Sequence, residues 1–330
     1  MKTPTHWYSS PFYGPLAAWA LSPFAFLYAF GARHHRAQAS PRPVEIPVLC
    51  LGNLVAGGSG KTPTAIALRK ILDQSKISLS PTFVTRGYKG SITGPERVDG
   101  SHDPCLWGDE ALLLARHAPT FVARNRYDGA VAALSAGADC IILDDGFQNY
   151  SLHKTLSFCV IDGQMGFGNG QVIPSGPLRE PLQDGLDRAD AFILIGDDTR
   201  DVRAVLPPDK PVFTAQITPC AKDALPNVPY IGFCGIGFPD KFKSTLEKAG
   251  VTLAGWRSFA DHHVYTIDDM TRLVGDALAH DARLVTTEKD YVRLPDFAKK
   301  SLIDVLPVEV VFDDPAAFIA FLKKYIPASS

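Results

Sequence analysis

PVLCLGNLVAGGSGKTP, residues 47–63, runs a short apolar stretch directly into a glycine-rich loop that ends Gly60-Lys61-Thr62-Pro63. The apolar stretch reads as a buried strand and the loop as the turn into a helix. Gly57, Gly58 and Gly60 lack a β-carbon, so the loop can visit φ > 0 and turn successive N–H groups onto phosphate oxygens. Lys61 then reaches the β- and γ-phosphates, Thr62 offers its hydroxyl to Mg²⁺, and the helix aims its N-terminus at the anion. Pro63 suits a first helical turn, where a missing N–H costs nothing. Ile66, Leu68, Ile71 and Leu72 carry the apolar face of that helix. Val55, Ala56, Gly57, Gly58, Ser59, Gly60, Lys61 and Thr62 are thus the expected nucleotide-binding loop. Val55 stands where the general G-x-x-x-x-G-K-[ST] pattern has glycine.

A second strand, Asp139-Cys140-Ile141-Ile142-Leu143, empties into Asp144-Asp145-Gly146. An acid at a strand end beside a phosphate loop orders Mg²⁺ or its water shell. Successive strand residues face opposite sides, so Asp144 and Asp145 cannot do the same job. Further strands are expected at 82–85, 120–122, 157–161, 191–194 and 212–217, with helices at 61–72, 109–117 and 127–135, the alternation of a doubly wound parallel sheet. In such sheets ligands sit beyond the carboxyl ends of the strands, where Lys61, Arg86 and Asp145 fall. Pro226-Asn227-Val228-Pro229 marks a boundary. Beyond it a smaller α/β set is expected: strands at 230–234, 251–256 and 284–287, and helices at 240–249, after a capping box at Thr266-Ile267-Asp268-Asp269, and at 315–325. The expected organisation is an N-terminal segment 1–40, a nucleotide-binding domain 41–225 and a C-terminal α/β domain 226–330.

The 330 residues are 46% hydrophobic and 21% charged, enough for two cored domains. A net charge of −2 supplies no basic field, so nucleic acid is not an expected partner. Six scattered cysteines without a C-x-x-C pair read as reduced thiols. No segment singles out a protein partner. Between Lys2 and Arg33 there is no charged side chain, while Trp7, Tyr8, Phe12, Tyr13, Trp19, Phe24, Phe26, Tyr28 and Phe30 crowd the segment. Its densest part, 16–30, spans about 22 Å as a helix, short of a ~30 Å hydrocarbon core, and Pro23 is expected to kink or interrupt it. Aromatic rings favour the headgroup boundary, and Arg33-His34-His35-Arg36 would meet anionic lipid, so a membrane-associating helix is expected. The competing readings are a helix docked on the protein's own core and a signal peptide cleaved near Ala37-Gln38-Ala39, although its charges follow the apolar run.

Phosphoryl transfer needs a residue to orient or deprotonate the acceptor hydroxyl. Asp109 in Trp107-Gly108-Asp109-Glu110 is a candidate, or simply a helix N-cap. Asp261-His262-His263 sets carboxylate beside imidazole, a common way to orient a base. A proline-containing loop runs from Asn169-Gly170-Gln171 to Pro177-Leu178-Arg179-Glu180. Gly52-Asn53-Leu54, the phosphate loop, Arg86-Gly87-Tyr88, Gly108-Asp109-Glu110, Asp144-Asp145-Gly146-Phe147-Gln148, Pro174-Ser175-Gly176-Pro177-Leu178-Arg179-Glu180, Gly235-Ile236-Gly237, Asp261-His262-His263 and Thr287-Glu288-Lys289-Asp290 resemble in order the signature of the tetraacyldisaccharide 4′-kinase family, which also writes its phosphate loop without that glycine.

The resemblance implies an ATP- and Mg²⁺-dependent kinase. Its acceptor is a lipid A disaccharide precursor, tetraacyldisaccharide 1-phosphate, phosphorylated on its 4′-hydroxyl to lipid IVA at the cytoplasmic leaflet of the bacterial inner membrane. Asp109 is then the catalytic base with His262 as partner across a cleft that closes. Lys61 and Thr62 bind phosphate and Mg²⁺, with Asp145, Asp144, Gln148 and Glu180 around the metal and γ-phosphate. A kinase for a soluble small molecule, with the apolar helix as a dimer contact, is an alternative. So is a GTPase-like switch, but Thr287-Glu288-Lys289-Asp290 lacks the asparagine of the guanine-reading N-K-x-D.

Overall fold

The computed structural model describes residues 4–8, 14–78, 80–99, 103–220, 225–299 and 303–326. Strands β1 (Val48–Gly52), β2 (Pro81–Thr85), β3 (Glu96–Arg97), β4 (Thr120–Val122), β5 (Cys140–Asp144), β6 (Leu156–Asp162), β7 (Ala191–Ile195) and β8 (Val212–Pro219) build the larger sheet. β9 (Tyr230–Cys234), β10 (Leu253–Ser258), β11 (Arg283–Thr287) and β12 (Ile303–Leu306) build the smaller one, and β13 (Val308–Phe312) follows. The larger sheet has nine strands in the order β13-β8-β7-β6-β1-β5-β2-β4-β3. It is parallel except at its edges, where β13 and β3 pair antiparallel. The smaller sheet, β10-β9-β11-β12, is parallel throughout. The fold is mixed α/β around a large parallel sheet.

Period-two alternation explains the central strands. Leu49, Leu51, Cys140, Ile142, Phe158 and Val160 point to one core, while Val48, Cys50, Ile141, Leu143, Cys159 and Ile161 point to the other. A strand covered on both faces must be apolar at every position, as β1 and β5 are until Gly52 and Asp144. Burying each such side chain stabilises by about 1.5–3 kcal/mol. Consecutive strands β5 and β6 lie on either side of β1, so the connections diverge there and leave a crevice at the strands' carboxyl ends.

Two sequence expectations change. Residues 226–330 do not all join the smaller unit: β13 pairs with β8 of the larger sheet, Val310 opposite Ile217. The helix Pro315–Leu322 packs there too, with the Phe318 ring 4.2 Å from Phe312 and 4.9 Å from Phe213. Sequence adjacency favoured the nearer sheet, but the apolar face of β13 and Phe318 finds its partners beside β8. The smaller unit is therefore inserted between two adjacent strands of the larger sheet.

Secondly, the N-terminal helix Gly14–Ala37 runs through Pro23 without a break and covers 24 residues. Its aromatic side chains do not dock on the core: Trp19 is 78% exposed and Phe26 72%, while Ala25 is buried. Arg33 and Arg36 of its last turns reach Asp184 at 2.7 and 3.7 Å, so two charges expected to face lipid are engaged by the protein itself. Phe12 and Tyr13 lie outside the described residues. Among the described residues no helix is long and apolar enough to cross a membrane. All six cysteines are free, with Cys50, Cys140, Cys159 and Cys234 buried.

Candidate active site

The phosphate loop leaves β1 and enters the helix Lys61–Gln74 through Gly60, whose φ of 81° is left-handed and requires glycine. Gly52 is needed for a different reason, since a β-carbon there would stand 2.3 Å from Cβ of Phe147 in the loop after β5. Val55 has no such constraint. It is buried and forms a β-bridge with Leu178, while Ala56 N–H donates to Pro177 O at 2.7 Å and Arg179 N–H to Leu54 O at 2.8 Å. Extended backbone here favours a β-branched residue over glycine.

The two carboxylates after β5 part company. Asp144, the last residue of the strand, is fully buried and accepts the Thr62 hydroxyl at 3.0 Å through Oδ2, while its Oδ1 is buried without a partner among the described residues. Burial, with the charges of Glu110 and Asp145, pushes its carboxyl well above the usual range. Asp145 takes a left-handed φ of 52°, which turns its carboxylate to Arg179 at 2.9 Å and Lys61 at 3.7 Å. Burial pushes it up, but the Lys61 and Arg179 charges prevail and hold it at about 2. Burial pulls the Lys61 ammonium down, against the opposing charge of Asp145. Thr62 and the free oxygen of Asp144 are therefore the groups that could hold a divalent cation. Among the described residues no group of three or more His, Cys, Asp or Glu side chains is arranged to hold a metal ion by itself. A Mg²⁺ whose shell is completed by phosphate oxygens and water needs none.

Asp109 opens the helix Asp109–Ala115 of the larger unit, and His262 follows β10 in the smaller one. Their side chains meet: His262 Nδ1 lies 2.9 Å from Asp109 Oδ2. Burial pushes the Asp109 carboxyl up, but the His262 hydrogen bond and the charges of Lys289 and Arg293 outweigh it and hold it at about 2. Asp109 is buried, and among the described residues Oδ1 accepts only its neighbour's N–H, from Glu110 at 3.0 Å, so lone pairs remain for another donor. His262 is itself in the left-handed region at φ 57° and donates its N–H to Gly235 O at 3.0 Å. Strained φ values at Asp145 and His262 mark positions that the surrounding fold over-determines. His263 turns away to Asp269 Oδ2 at 2.9 Å, within its own domain, where Thr266 and Asp269 form the anticipated capping box.

The model of the tetraacyldisaccharide-1-P 4′-kinase family matches residues 17–327. The chain belongs to that family. A tetraacyldisaccharide 4′-kinase of Rhodospirillum rubrum is 43% identical over 332 residues, covering 99% of this chain and 98% of the relative. Another, of Paramagnetospirillum magneticum, is 44% identical over 299 residues, covering 90% and 91%. The crystal structure of LpxK from Aquifex aeolicus in complex with ATP matches with a TM-score of 0.75, covering 94% of this chain and 99% of that one at 24% identity, a likeness of fold.

In this member of the 4′-kinase family, Gln148 and Glu180, which the resemblance sets around the metal and γ-phosphate, meet each other and a guanidinium. Gln148 donates to Glu180 at 3.0 Å and to Asn53 O at 2.9 Å, and Arg188 engages both oxygens of Glu180. Asp145 is likewise held by Arg179 and Lys61, while Asp144 Oδ1 has no partner among the described residues. Four cations escaped assignment from sequence: Arg179, Arg188, Lys289 and Arg293. The last two are four residues apart, a spacing that places them on one side of a helical turn and was there to be read. Asp290, the residue that prompted the guanine-reading comparison, is fully buried and bound by Gly235 N–H, Tyr265, Thr287 and Arg293. No base could reach it.

Proposed function

We propose that this kinase transfers the γ-phosphoryl group of ATP to the 4′-hydroxyl of tetraacyldisaccharide 1-phosphate, giving lipid IVA. The observation that carries the reading is the meeting of Asp109 and His262 across the two units at the same corner as the phosphate loop. Glu110, next to Asp109, lies close enough for its charge to act on both Lys61 and Asp144. Donor and acceptor groups thus share one electrostatic site.

The loop 55–60 and the N-terminus of the helix Lys61–Gln74 cradle the phosphates, and Lys61 leaves Asp145 to meet the β- and γ-phosphate charge. Thr62 and Asp144 would hold Mg²⁺, which when bound neutralises charge on the phosphate oxygens. Arg179 keeps Asp145 turned aside. Asp109 accepts the hydrogen bond of the acceptor hydroxyl and takes its proton, while the His262 Nδ1–H holds the carboxylate in place. Phe238 of the smaller unit lies over the loop, 3.6 Å from where a β-carbon on Gly57 would stand, which helps keep water from the phosphates. On the membrane side, Leu16, Trp19, Phe26 and Phe30 offer an apolar surface to the acyl region, and the helix Gly14–Ala37 lies in the interface at the cytoplasmic face of the inner membrane.

The test is transfer of ³²P from γ-labelled ATP to tetraacyldisaccharide 1-phosphate in mixed micelles with Mg²⁺. Lys61→Ala and Asp109→Ala are each expected to lower the rate by about 10³-fold. Hydrolysis of ATP by the wild type without label in the lipid would overturn the acceptor assignment and leave the phosphate loop standing.

A further inference from the structure

We propose that Lys289 is a positioning residue for the transfer step, its ammonium lodged between Glu110 and His262 so that the imidazole can carry its proton only on the nitrogen facing Asp109. This deepens the kinase reading and rests on it. Lys289 donates to Glu110 Oε1 at 3.1 Å and its ammonium lies 3.5 Å from His262 Nε2. An ammonium has donors and no acceptor, so Nε2 must offer it a lone pair. Ionised Asp109 has acceptors and no donor, so Nδ1, 2.9 Å away, must carry the proton. On the other side of the ring Asp261 Oδ1, 3.8 Å from Nε2, would draw the proton to that nitrogen, and the nearer Lys289 ammonium is what opposes it, so the neutral ring keeps its proton on Nδ1.

Lys289 has little freedom to move out of this position. Arg293 donates to Lys289 O at 3.1 Å, to Gly235 O at 3.0 Å and to Asp290 Oδ1 at 2.8 Å. Asp290 in turn accepts Gly235 N–H at 2.8 Å, and the His262 N–H donates to Gly235 O. The backbones of Lys289 and His262 are therefore tied to one hub in the smaller unit, while Asp109 and Glu110 belong to the larger. Burial pulls the Lys289 ammonium down, but Glu110, Asp109 and Asp261 prevail and keep it charged. Arg293 Nε also stands 3.4 Å from Asp109 Oδ2, which leaves His262 as the donor whose orientation depends on Lys289.

Ring-¹⁵N histidine spectra of the full-length protein, with the His262 signals assigned from His262→Gln, test the tautomer directly. The wild type should show a protonated Nδ1 and a bare Nε2. Lys289→Met should mix the two forms and lower kcat for the lipid by about 10²-fold, with KM for ATP within about twofold. Lys289→Arg, which keeps a donor-only cation, should restore the wild-type ring pattern and part of the rate. If Lys289→Met does not fold, Lys289→Gln is measured in its place, because an amide that donates and accepts no longer dictates the tautomer. An unchanged ring pattern, or a changed pattern with unchanged kcat, overturns the proposal. Failure of the kinase reading would show separately, as a wild type that never labels the lipid while its ring spectra still report on Lys289.

Discussion

Lys61 and Thr62 are neighbours in the chain, at the start of the helix that the loop after β1 enters, whereas Asp109 and His262 meet across 153 positions and two sheets. The phosphate loop is positioned by its own chain: Gly60 makes the turn, and β1 and the helix Lys61–Gln74 are fixed by their apolar faces. The Asp109–His262 contact has no local cause. It exists because the smaller unit is moored to the larger sheet at both ends, through β8 where the chain departs and β13 where it returns. If the proposed roles hold, the phosphate loop should withstand loosening of the smaller unit better than the Asp109–His262 contact does.

Phe318→Ala should separate the two regions most sharply. It removes a fully buried ring from among Phe158, Phe213 and Phe312, loosening the return mooring, and should cost about 3–5 kcal/mol in denaturant unfolding. In partial denaturant the variant should lose lipid phosphorylation before it loses ATP binding. Simultaneous loss of both would show that the junction is no weaker than the loop.

A smaller effect distinguishes the two acids within the donor region. Asp144→Asn should raise the Mg²⁺ concentration for half-maximal rate by about tenfold or more, because the open oxygen beside Thr62 is lost. Asp145→Asn should lower the rate while moving that concentration less than about twofold. The reverse pattern would return the metal to Asp145.

The junction also carries a pH signature. The Asp109 carboxyl is held at about 2 in the folded protein, below an unfolded value of about 3.9, so its contribution of about 2 kcal/mol is complete above the unfolded value. That contribution fades as pH falls from about 4 through about 2. Asp109→Asn should therefore flatten the stability–pH curve over this window, measured by denaturant unfolding at successive pH values. A slope equal to that of the wild type would mean that the His262, Lys289 and Arg293 contacts do not hold in solution.

Much of this was legible in the chain. The apolar runs at 48–51 and 140–143, the glycines at 57, 58 and 60 and the paired acids at 144 and 145 have meanings set by short-range sterics and by the alternation of strand side chains. The capping box at Thr266 was equally plain, because a cap involves residues three apart. His262 as the partner of Asp109 came from the family resemblance, and in the structure the two adjacent rings turn to different partners, Asp109 and Asp269. The division of labour between Asp144 and Asp145 was left open, since alternation says only that they differ and a left-handed turn decides how.

The sequence by itself determined the phosphate loop, the parallel α/β architecture and the apolar character of the N-terminal helix, because each follows from backbone sterics and hydrophobic periodicity over a few turns of chain. Only the tertiary structure decided that β13 returns to the larger sheet, that Arg179 and Arg188 claim Asp145 and Glu180, and that Lys289 and Arg293 surround Asp109. These are long-range pairings of charge and apolar surface. No local propensity encodes them, because their energy appears only when the two units are packed together.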